Sequence, residues 1–309
     1  MALVGVVFLS IWPSRVQAQT SAWDGVLSNS QWYVPAANLS AYLVPGTNLA
    51  SPELIADQTI WALGACVDGV FTGTSNATFK IGPVESSSVT MMNGLVVGAS
   101  GQVRIVFSDG TNPPTLGIGQ MREVNNATYV EMQMISGSTD GVFITHWAYM
   151  AAYDGDPDSL PPLVPGGGLL SPEWSWMEGT SWNLECADLF GVGETGAFTI
   201  SNYVNGYFWG TGSGPAGSEA ASFTLIGSAT PEGNVLFNIL SGETLTSLTG
   251  QITGDATNGA MGLRAYEEGE IGGVALAQVV PEPGVVWLLA LGGVVLGCRV
   301  LRRKYLGMA

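Results

Sequence analysis

Basic side chains and histidine are scarce in this sequence. Lysine and arginine together number 9 in 309 residues, whereas aspartate and glutamate number 25, so the formal net charge is −16. A chain with this excess of negative charge repels phosphate backbones, which argues against any nucleic-acid partner. The single histidine and the three cysteines lie far apart in the chain and supply no cluster of zinc ligands. We therefore expect neither a metal site nor a cofactor.

Motifs for catalysis and nucleotide binding are also missing. The glycines at 166–168 follow no predicted strand and precede no GK[ST] triplet, so they do not form a phosphate-binding loop. His146 lies in the segment ITHWAYM, where strand alternation places it on one face with Ile144 and Ala148. No spacing motif gives it a nucleophile or an orienting carboxylate. We interpret His146 as a hydrogen-bonded structural residue and expect the protein not to be an enzyme.

The sequence does contain the pattern of β-strands. It has 43 glycines and only 11% charged residues, and it is rich in the valine, threonine and aromatic residues that are typical of strands. Residues 103–107, 130–134 and 235–239 each alternate large apolar side chains at a period of two. Strands this close in sequence pair as antiparallel neighbours in a meander. We predict an all-β fold.

Matched segments in the same order indicate an internal duplication. GVFTGTS at 69–75 matches GYFWGTG at 206–212, and three short segments follow in each copy: 88–90 with 222–224, 101–103 with 233–235, and 119–121 with 250–252. Upstream, Thr59, Trp61 and Leu63 align with Thr180, Trp182 and Leu184. Repeats at a fixed order point to two copies of one folding unit. We therefore predict two antiparallel meander barrels or sandwiches in tandem.

Residues 154–170 separate the two predicted β domains, which span 19–153 and 171–278. This segment is rich in proline, glycine and aspartate, a composition typical of a linker. Asp154, Asp156 and Asp158 alternate in a way that could suit calcium. An EF-hand loop would need glycine and glutamate where Ser159 and Pro165 stand, so the pattern does not continue into a calcium site.

The C-terminal segment, residues 279–309, has three successive parts. Pro281, Glu282 and Pro283 form a rigid, extended triplet. An apolar run from 284 to 298 follows, and basic residues end the chain, including Arg299, Arg302 and Arg303. A helix over this run rises only about 22 Å, against about 30 Å of hydrocarbon. A membrane span is therefore expected to extend over 284–301, with the basic end at 302–304 on the cytoplasmic side.

This tail resembles the PEP-CTERM sorting signal of exported bacterial proteins, which has the same triplet, short apolar helix and arginine-rich end. The resemblance implies recognition by an exosortase, removal of the tail near Pro281 to Pro283, and transfer of the remainder to the cell surface or the medium. Before processing, the helix would hold the protein in the membrane. The alternative is a plain single-span anchor.

The N-terminal residues 1–18 fit a signal peptide. Residues 2–12 are mostly apolar, and Val16, Gln17 and Ala18 form a small-residue pattern after which a signal peptidase could cut. No basic residue precedes the apolar stretch, which departs from the usual pattern. With the tail, this segment predicts export across the inner membrane.

Two cysteines would remain in an exported, processed protein. Cys298 belongs to the tail, whereas Cys66 and Cys186 lie in the two β domains. In an oxidising compartment they could pair as a disulfide. The alternative is two separately buried thiols, because sequence does not give the separation of the two Cα atoms.

Three tryptophans are the best candidates for a ligand-binding surface: Trp174, Trp176 and Trp182. Exposed aromatic rings stack on sugar faces, although the same residues could equally belong to the core. We expect a non-catalytic structural or adhesive protein of the cell surface or extracellular matrix. One alternative is a carbohydrate-binding module for exopolysaccharide. A second is a secreted hydrolase whose carboxylates would come from Glu123, Glu131 and Asp140.

Overall fold

The computed structural model describes residues 22–280, except 36–38, 46–52, 112–113, 138–141, 167–168, 219, 243 and 268–269. The predicted signal peptide (1–18), the Pro-Glu-Pro triplet and the membrane span at 284–301 lie outside the described residues. Within the described part of the chain, no helix is both long and apolar enough to cross a membrane.

The first barrel consists of eight antiparallel strands that close on themselves. The elements are α1 (Asp24–Leu27), β1 (Gln31–Tyr33), β2 (Leu39–Pro45), β3 (Glu53–Leu54), β4 (Ala56–Val67), β5 (Val70–Ile81), β6 (Val84–Val97), β7 (Gln102–Ser108), β8 (Thr115–Val124), β9 (Ala127–Gly137) and β10 (Val142–Tyr153). Strands β4 to β10 form a meander, and β1 pairs with both β4 and β10 to close it. Strand β2 also pairs with β10, beyond β1, and β3 pairs with β2.

The second barrel closes in the same way from eight strands. A 3₁₀ helix (Pro172–Met177) leads into β11 (Ser181–Cys186), α2 (Ala187–Phe190), β12 (Thr195–Val204), β13 (Tyr207–Ser213), β14 (Phe223–Ala229), β15 (Asn234–Ser241), β16 (Thr244–Thr253), β17 (Ala260–Glu267) and β18 (Glu270–Val279). Every strand pairs antiparallel with its neighbour, and β18 returns to β11. The predicted all-β fold of two tandem meander barrels is therefore confirmed.

Both barrels are filled by their inward-facing side chains. Val103, Ile105 and Phe107 belong to the core of the first barrel, as their alternation predicts, together with Trp32 and Trp61. In the second barrel the predicted segment 235–239 contributes to an equivalent core. Each fully buried side chain of this size contributes about 1.5–3 kcal/mol through the removal of apolar surface from water. The interior of each barrel is thus a packed hydrophobic core.

Equivalent hydrogen bonds at the start of each barrel identify the true match between the two copies. The Nε1–H of Trp32 donates to Ser30 Oγ at 2.8 Å, and that of Trp182 donates to Thr180 Oγ1 at 2.8 Å. Trp61 is the residue that pairs with Trp32 on the neighbouring strand. In the second barrel, the residue that pairs in this way with Trp182 is Phe198. The alignment of Trp61 with Trp182 is therefore wrong. Both tryptophans have similar local sequences, and only strand pairing distinguishes them.

Downstream, the segments at 69–75, 101–103 and 119–121 lie at strand positions equivalent to those of their matches. The match of 88–90 with 222–224 is wrong by one residue, because Val89 is exposed whereas Phe223 is buried. The hairpin turns before GVFTGTS and GYFWGTG have positive φ angles at Asp68 and Gly69 and at Asn205 and Gly206. Two successive positive φ angles suit the tight hairpin turns that match strand twist. The internal duplication is thus confirmed.

The barrels pack side by side through the outer faces of β9 and β10 and of β14 and β15. Phe143 and Trp147 of the first barrel join Tyr207 and Trp209 of the second in one buried cluster. Within it, Asn238 Nδ2 donates to the carbonyl oxygen of Ile135 at 3.1 Å. Because buried polar groups need partners, this contact fixes how the two apolar faces are aligned.

The predicted linker lies along the first barrel. Gln58 Nε2 donates to the carbonyl oxygen of Pro161 at 3.0 Å, and Pro165 forms an isolated β-bridge with Ala56. The aspartates of this segment accept hydrogen bonds within their own turns, as Asp154 Oδ1 does from the backbone N–H of Asp156 at 2.9 Å. In the part of the chain that the structure describes, no three metal-ligating side chains cluster.

Candidate functional site

A polar cleft of about 330 Å³ lies between the two barrels. The first barrel contributes outward side chains of β7, β8 and β9: Gln102, Arg104, Gln120, Glu131 and Gln133. The second contributes polar side chains from the β14–β15 turn, β15 and β16: Thr230, Asn234, Thr249 and Gln251. Small-molecule sites typically occupy about 300–1,000 Å³, so the cleft is large enough for a small ligand.

The shape of the cleft follows from the shape of the barrels. Two cylinders in contact along one side diverge beyond the line of contact, which leaves a wedge between β7 and β8 on one side and β16 and β17 on the other. Gly262 lies in this wedge. A Cβ added there would meet no atom within 4 Å. This part of the cleft is therefore empty because Gly262 has no side chain, although there is room for one.

Glu131 is the most heavily bonded group in the cleft. Its side chain is 3% exposed and accepts hydrogen bonds from Arg122 Nε and Nη2 at 2.9 and 2.7 Å, from Trp147 Nε1 at 3.2 Å and from the Tyr149 hydroxyl at 3.1 Å. Such a carboxylate holds neighbouring side chains in place. Glu123, suggested as its partner in a hydrolase, is exposed near the end of β8, and Asp140 lies outside the described residues.

The neighbours of Glu131 have shifted pKa values. Burial opposes the charge on Arg122, but the hydrogen bond and the negative charge of Glu131 more than offset it, so the pKa of Arg122 is raised. Burial, followed by the charge and hydrogen bond of Glu131, raises the pKa of Tyr149. Around neutral pH, both pKa shifts therefore keep Arg122 positively charged and the phenol of Tyr149 neutral.

Arg104 crosses from the first barrel to the second. Its guanidinium donates to the hydroxyl of Tyr266 and lies 5.4 Å from the centre of that ring. This combines a hydrogen bond with a cation–π contact. Among the described residues, no carboxylate lies within ion-pair distance of Arg104.

The three candidate tryptophans form a stack at one end of the second barrel. Trp182 is fully buried and lies parallel to Phe198, with ring centres 6.0 Å apart. Trp176 stacks on Trp182, and Trp174 lies edge-on to Trp176. Both half-buried rings belong to the 3₁₀ helix Pro172–Met177, which packs against the core. The structure therefore places Trp182 inside the barrel and leaves Trp174 and Trp176 partly accessible.

Trp174 also supports the cleft. Its Nε1–H donates to the carbonyl oxygen of Thr230 at 2.8 Å, and Thr230 itself lines the cleft. The tryptophan thus holds the turn between β14 and β15 that presents Thr230 and Asn234.

His146 pairs with a carboxylate inside the first barrel. Its Nδ1 lies 2.7 Å from Asp57 Oδ2, and Thr59 Oγ1 donates to Asp57 Oδ1 at 2.8 Å. All three side chains are nearly inaccessible, and Phe79 lies edge-on to the imidazole. His146 shares its face with Ile144 and Ala148, as predicted. Sequence could not identify Asp57, because 89 residues separate the partners.

Sequence reasoning did not identify the cleft. Its polar residues sit singly at outward strand positions of two domains, and no motif joins them. The one available signal is the matched Gly-Gln pair, since Gln120 and Gln251 occupy equivalent places in the two copies. Each donates through Nε2 to a backbone oxygen of an adjacent turn, that of Ser100 or Glu232.

No family model and no curated protein matches the chain. Among solved structures, a porin-like protein from Bacteroides uniformis ATCC 8492 aligns over 83% of this chain and 100% of its own, with 8% identity and a TM-score of 0.16. A TM-score this low carries no argument about fold or function.

The two cysteines of the β domains are free thiols in different barrels. Burial raises the pKa of Cys66 to about 12, and Asp24, which accepts a hydrogen bond from its sulfur, adds to the shift. Burial also raises the pKa of Cys186. The thiolate is the reactive form, so both thiols should be inert around neutral pH.

We therefore predict that Ellman's reagent at pH 8 modifies neither Cys66 nor Cys186 in the folded protein and modifies both in guanidinium. Peptide mapping would separate them from Cys298. Rapid labelling of either thiol in the folded protein, or recovery of a peptide that links the two, would contradict this.

Proposed function

We propose that this protein is exported, sorted by an exosortase and displayed at the cell surface or in the extracellular matrix, where it acts without catalysis as a structural or adhesive component. The support for sorting is the order of parts in the tail, from Pro281 to Arg303. The support for the structural role is the filling of both barrels, whose interiors are packed with apolar side chains.

The filled barrels are the observation that carries the proposal. A barrel of eight strands has an interior that side chains can just fill, or that can hold one small ligand. Here large rings such as Trp32, Trp182 and Phe237 occupy that space. Contacts with other molecules must then use the outer surface. The buried cluster between the barrels joins the two outer surfaces.

A carbohydrate-binding role is the second candidate. The observation that favours it is the polar cleft between the barrels, rather than the tryptophan stack, in which Trp182 is inaccessible.

The proposal is tested by the intact mass of the protein recovered from its native host. We expect the surface or supernatant form to lack the residues after the Pro-Glu-Pro region, because cleavage near Pro281 to Pro283 would remove the basic end. A variant with Pro281→Ala and Pro283→Ala should keep the tail and remain in the membrane fraction. Wild-type protein that retains Arg302 and Arg303 in the membrane would mean a simple anchor.

A further inference from the structure

We infer that the cleft between the two barrels binds a short segment of a neutral, polyhydroxylated glycan. The inference rests on the proposed non-catalytic surface role and adds to it a defined site and a class of ligand. This site differs from the tryptophan surface expected from the sequence, because the side chains that would bind the glycan lie on both barrels.

The hydrogen-bonding groups of the cleft match those of a sugar. Gln102 and Gln120 on one side and Asn234 and Gln251 on the other carry primary amides. Gln120 and Gln251 each use one N–H to hold an adjacent turn, which leaves the second N–H and the carbonyl oxygen of each amide for a ligand. A primary amide has two N–H donors and a carbonyl acceptor. A sugar hydroxyl both donates and accepts, so adjacent hydroxyls can bond to amides without any formal charge on either partner.

The charges near the cleft favour a neutral ligand. The positive charge of Arg122 is compensated by Glu131 at 2.7 Å, with Glu232 at 3.8 Å. Arg104 has no carboxylate within ion-pair distance among the described residues, but the hydroxyl and ring of Tyr266 engage its guanidinium. Together with Glu131 and Glu232, the two arginines make a group with no formal net charge. The chain as a whole has a net charge of −16 and repels polyanions such as acidic polysaccharides. A ligand without charge avoids this repulsion.

An extended peptide fits the cleft less well. Peptides often bind by adding a strand to an open sheet edge, with pockets for alternate side chains. The strands beside this cleft are already paired on both sides, as β8 is with β7 and β9, and β16 is with β15 and β17. The lining of the cleft is mainly polar, and its apolar residue Ile118 is partly buried.

The site is also formed before any ligand binds. Gln133 Nε2 donates to Ser228 Oγ across the interface at 2.8 Å, and both groups are buried. Glu131 fixes Arg122, Trp147 and Tyr149 through four hydrogen bonds. Binding therefore loses little conformational entropy in the protein, which favours affinity for a small ligand.

The test uses the purified full-length protein and affinity electrophoresis through gels that contain one polysaccharide each. Dextran, a galactomannan and xyloglucan serve as neutral probes, and alginate serves as the acidic one. We expect retardation by at least one neutral probe and none by alginate. Gly262→Phe should abolish the retardation or weaken it by about tenfold or more, since it fills a cleft that Gly262 keeps open.

A matched control carries the same aromatic ring elsewhere. Asn76 is exposed on β5, a strand that does not line the cleft. The Asn76→Phe variant should therefore bind the neutral probe as the wild type does. Circular dichroism should show that both variants keep the melting temperature within a few degrees. Gln251→Ala supplies a second loss of binding that does not add bulk.

Three outcomes would overturn the inference: no retardation by any neutral probe, retardation by alginate alone, or binding that survives Gly262→Phe but is lost in Trp176→Ala. The last result would place the ligand on the tryptophan stack. None of these outcomes depends on the tail. A normally processed protein that binds no glycan would contradict only the inference about glycan binding in the cleft. An unprocessed protein that binds glycan would contradict only the sorting proposal.

Discussion

Replacing His146 by leucine is expected to destabilise the first barrel by about 3–5 kcal/mol, because it leaves the carboxylate of Asp57 buried without its main partner. Asp57 and His146 are both almost inaccessible, and their nearest atoms are 2.7 Å apart. Thr59 would keep its single hydrogen bond to Asp57, which is too weak to compensate. Urea unfolding of the purified protein, followed by fluorescence, measures the loss.

The double variant Asp57→Val with His146→Leu distinguishes a broken pair from a lost contact. Replacing both partners of a buried pair by apolar residues is often neutral or stabilising, so the double variant should recover most of the lost free energy. Thr59→Val is the graded control and should cost about 1 kcal/mol, the net value of one hydrogen bond. A double variant as unstable as the sum of the single changes would refute this account.

Replacing Trp147 by alanine is expected to cost about 3–5 kcal/mol, because it opens a cavity among buried aromatic side chains. Trp147 belongs to the cluster that joins the barrels and also donates to Glu131 at 3.2 Å. Its loss should weaken the contact with the second barrel and disturb the cleft. We expect calorimetry to resolve two transitions where the wild type shows one.

Hydrogen exchange supplies the control for this change. Trp147→Ala should speed exchange in β13 and β14, which carry Tyr207, Trp209 and Ile226 of the shared cluster. Trp61→Ala removes a side chain of the same size from the interior of the first barrel and should leave exchange in β13 and β14 unchanged. Equal protection of those strands in both variants would mean that the barrels fold independently.

The repeated architecture was readable from local sequence. Period-two alternation at 103–107 and 235–239 specifies which side chains face inward, since a strand exposes alternate residues to opposite faces. The glycine-containing turns at Gly69 and Gly206 mark equivalent hairpins, because both need positive φ angles. Sequence misassigned the first strand of the second barrel, where Trp182 matches Trp32 and not Trp61.

The class of fold, the duplication, the inward faces of the strands and the acidic character of the chain follow from the amino-acid sequence, because they depend on residue type and on spacing over a few positions. The partner of His146, the separate burial of Cys66 and Cys186, and the cleft between the barrels are known from the three-dimensional structure alone. Each of these depends on which strands become neighbours and on how two closed barrels pack. Groups that meet across such contacts are distant in the chain, and no local pattern records their meeting.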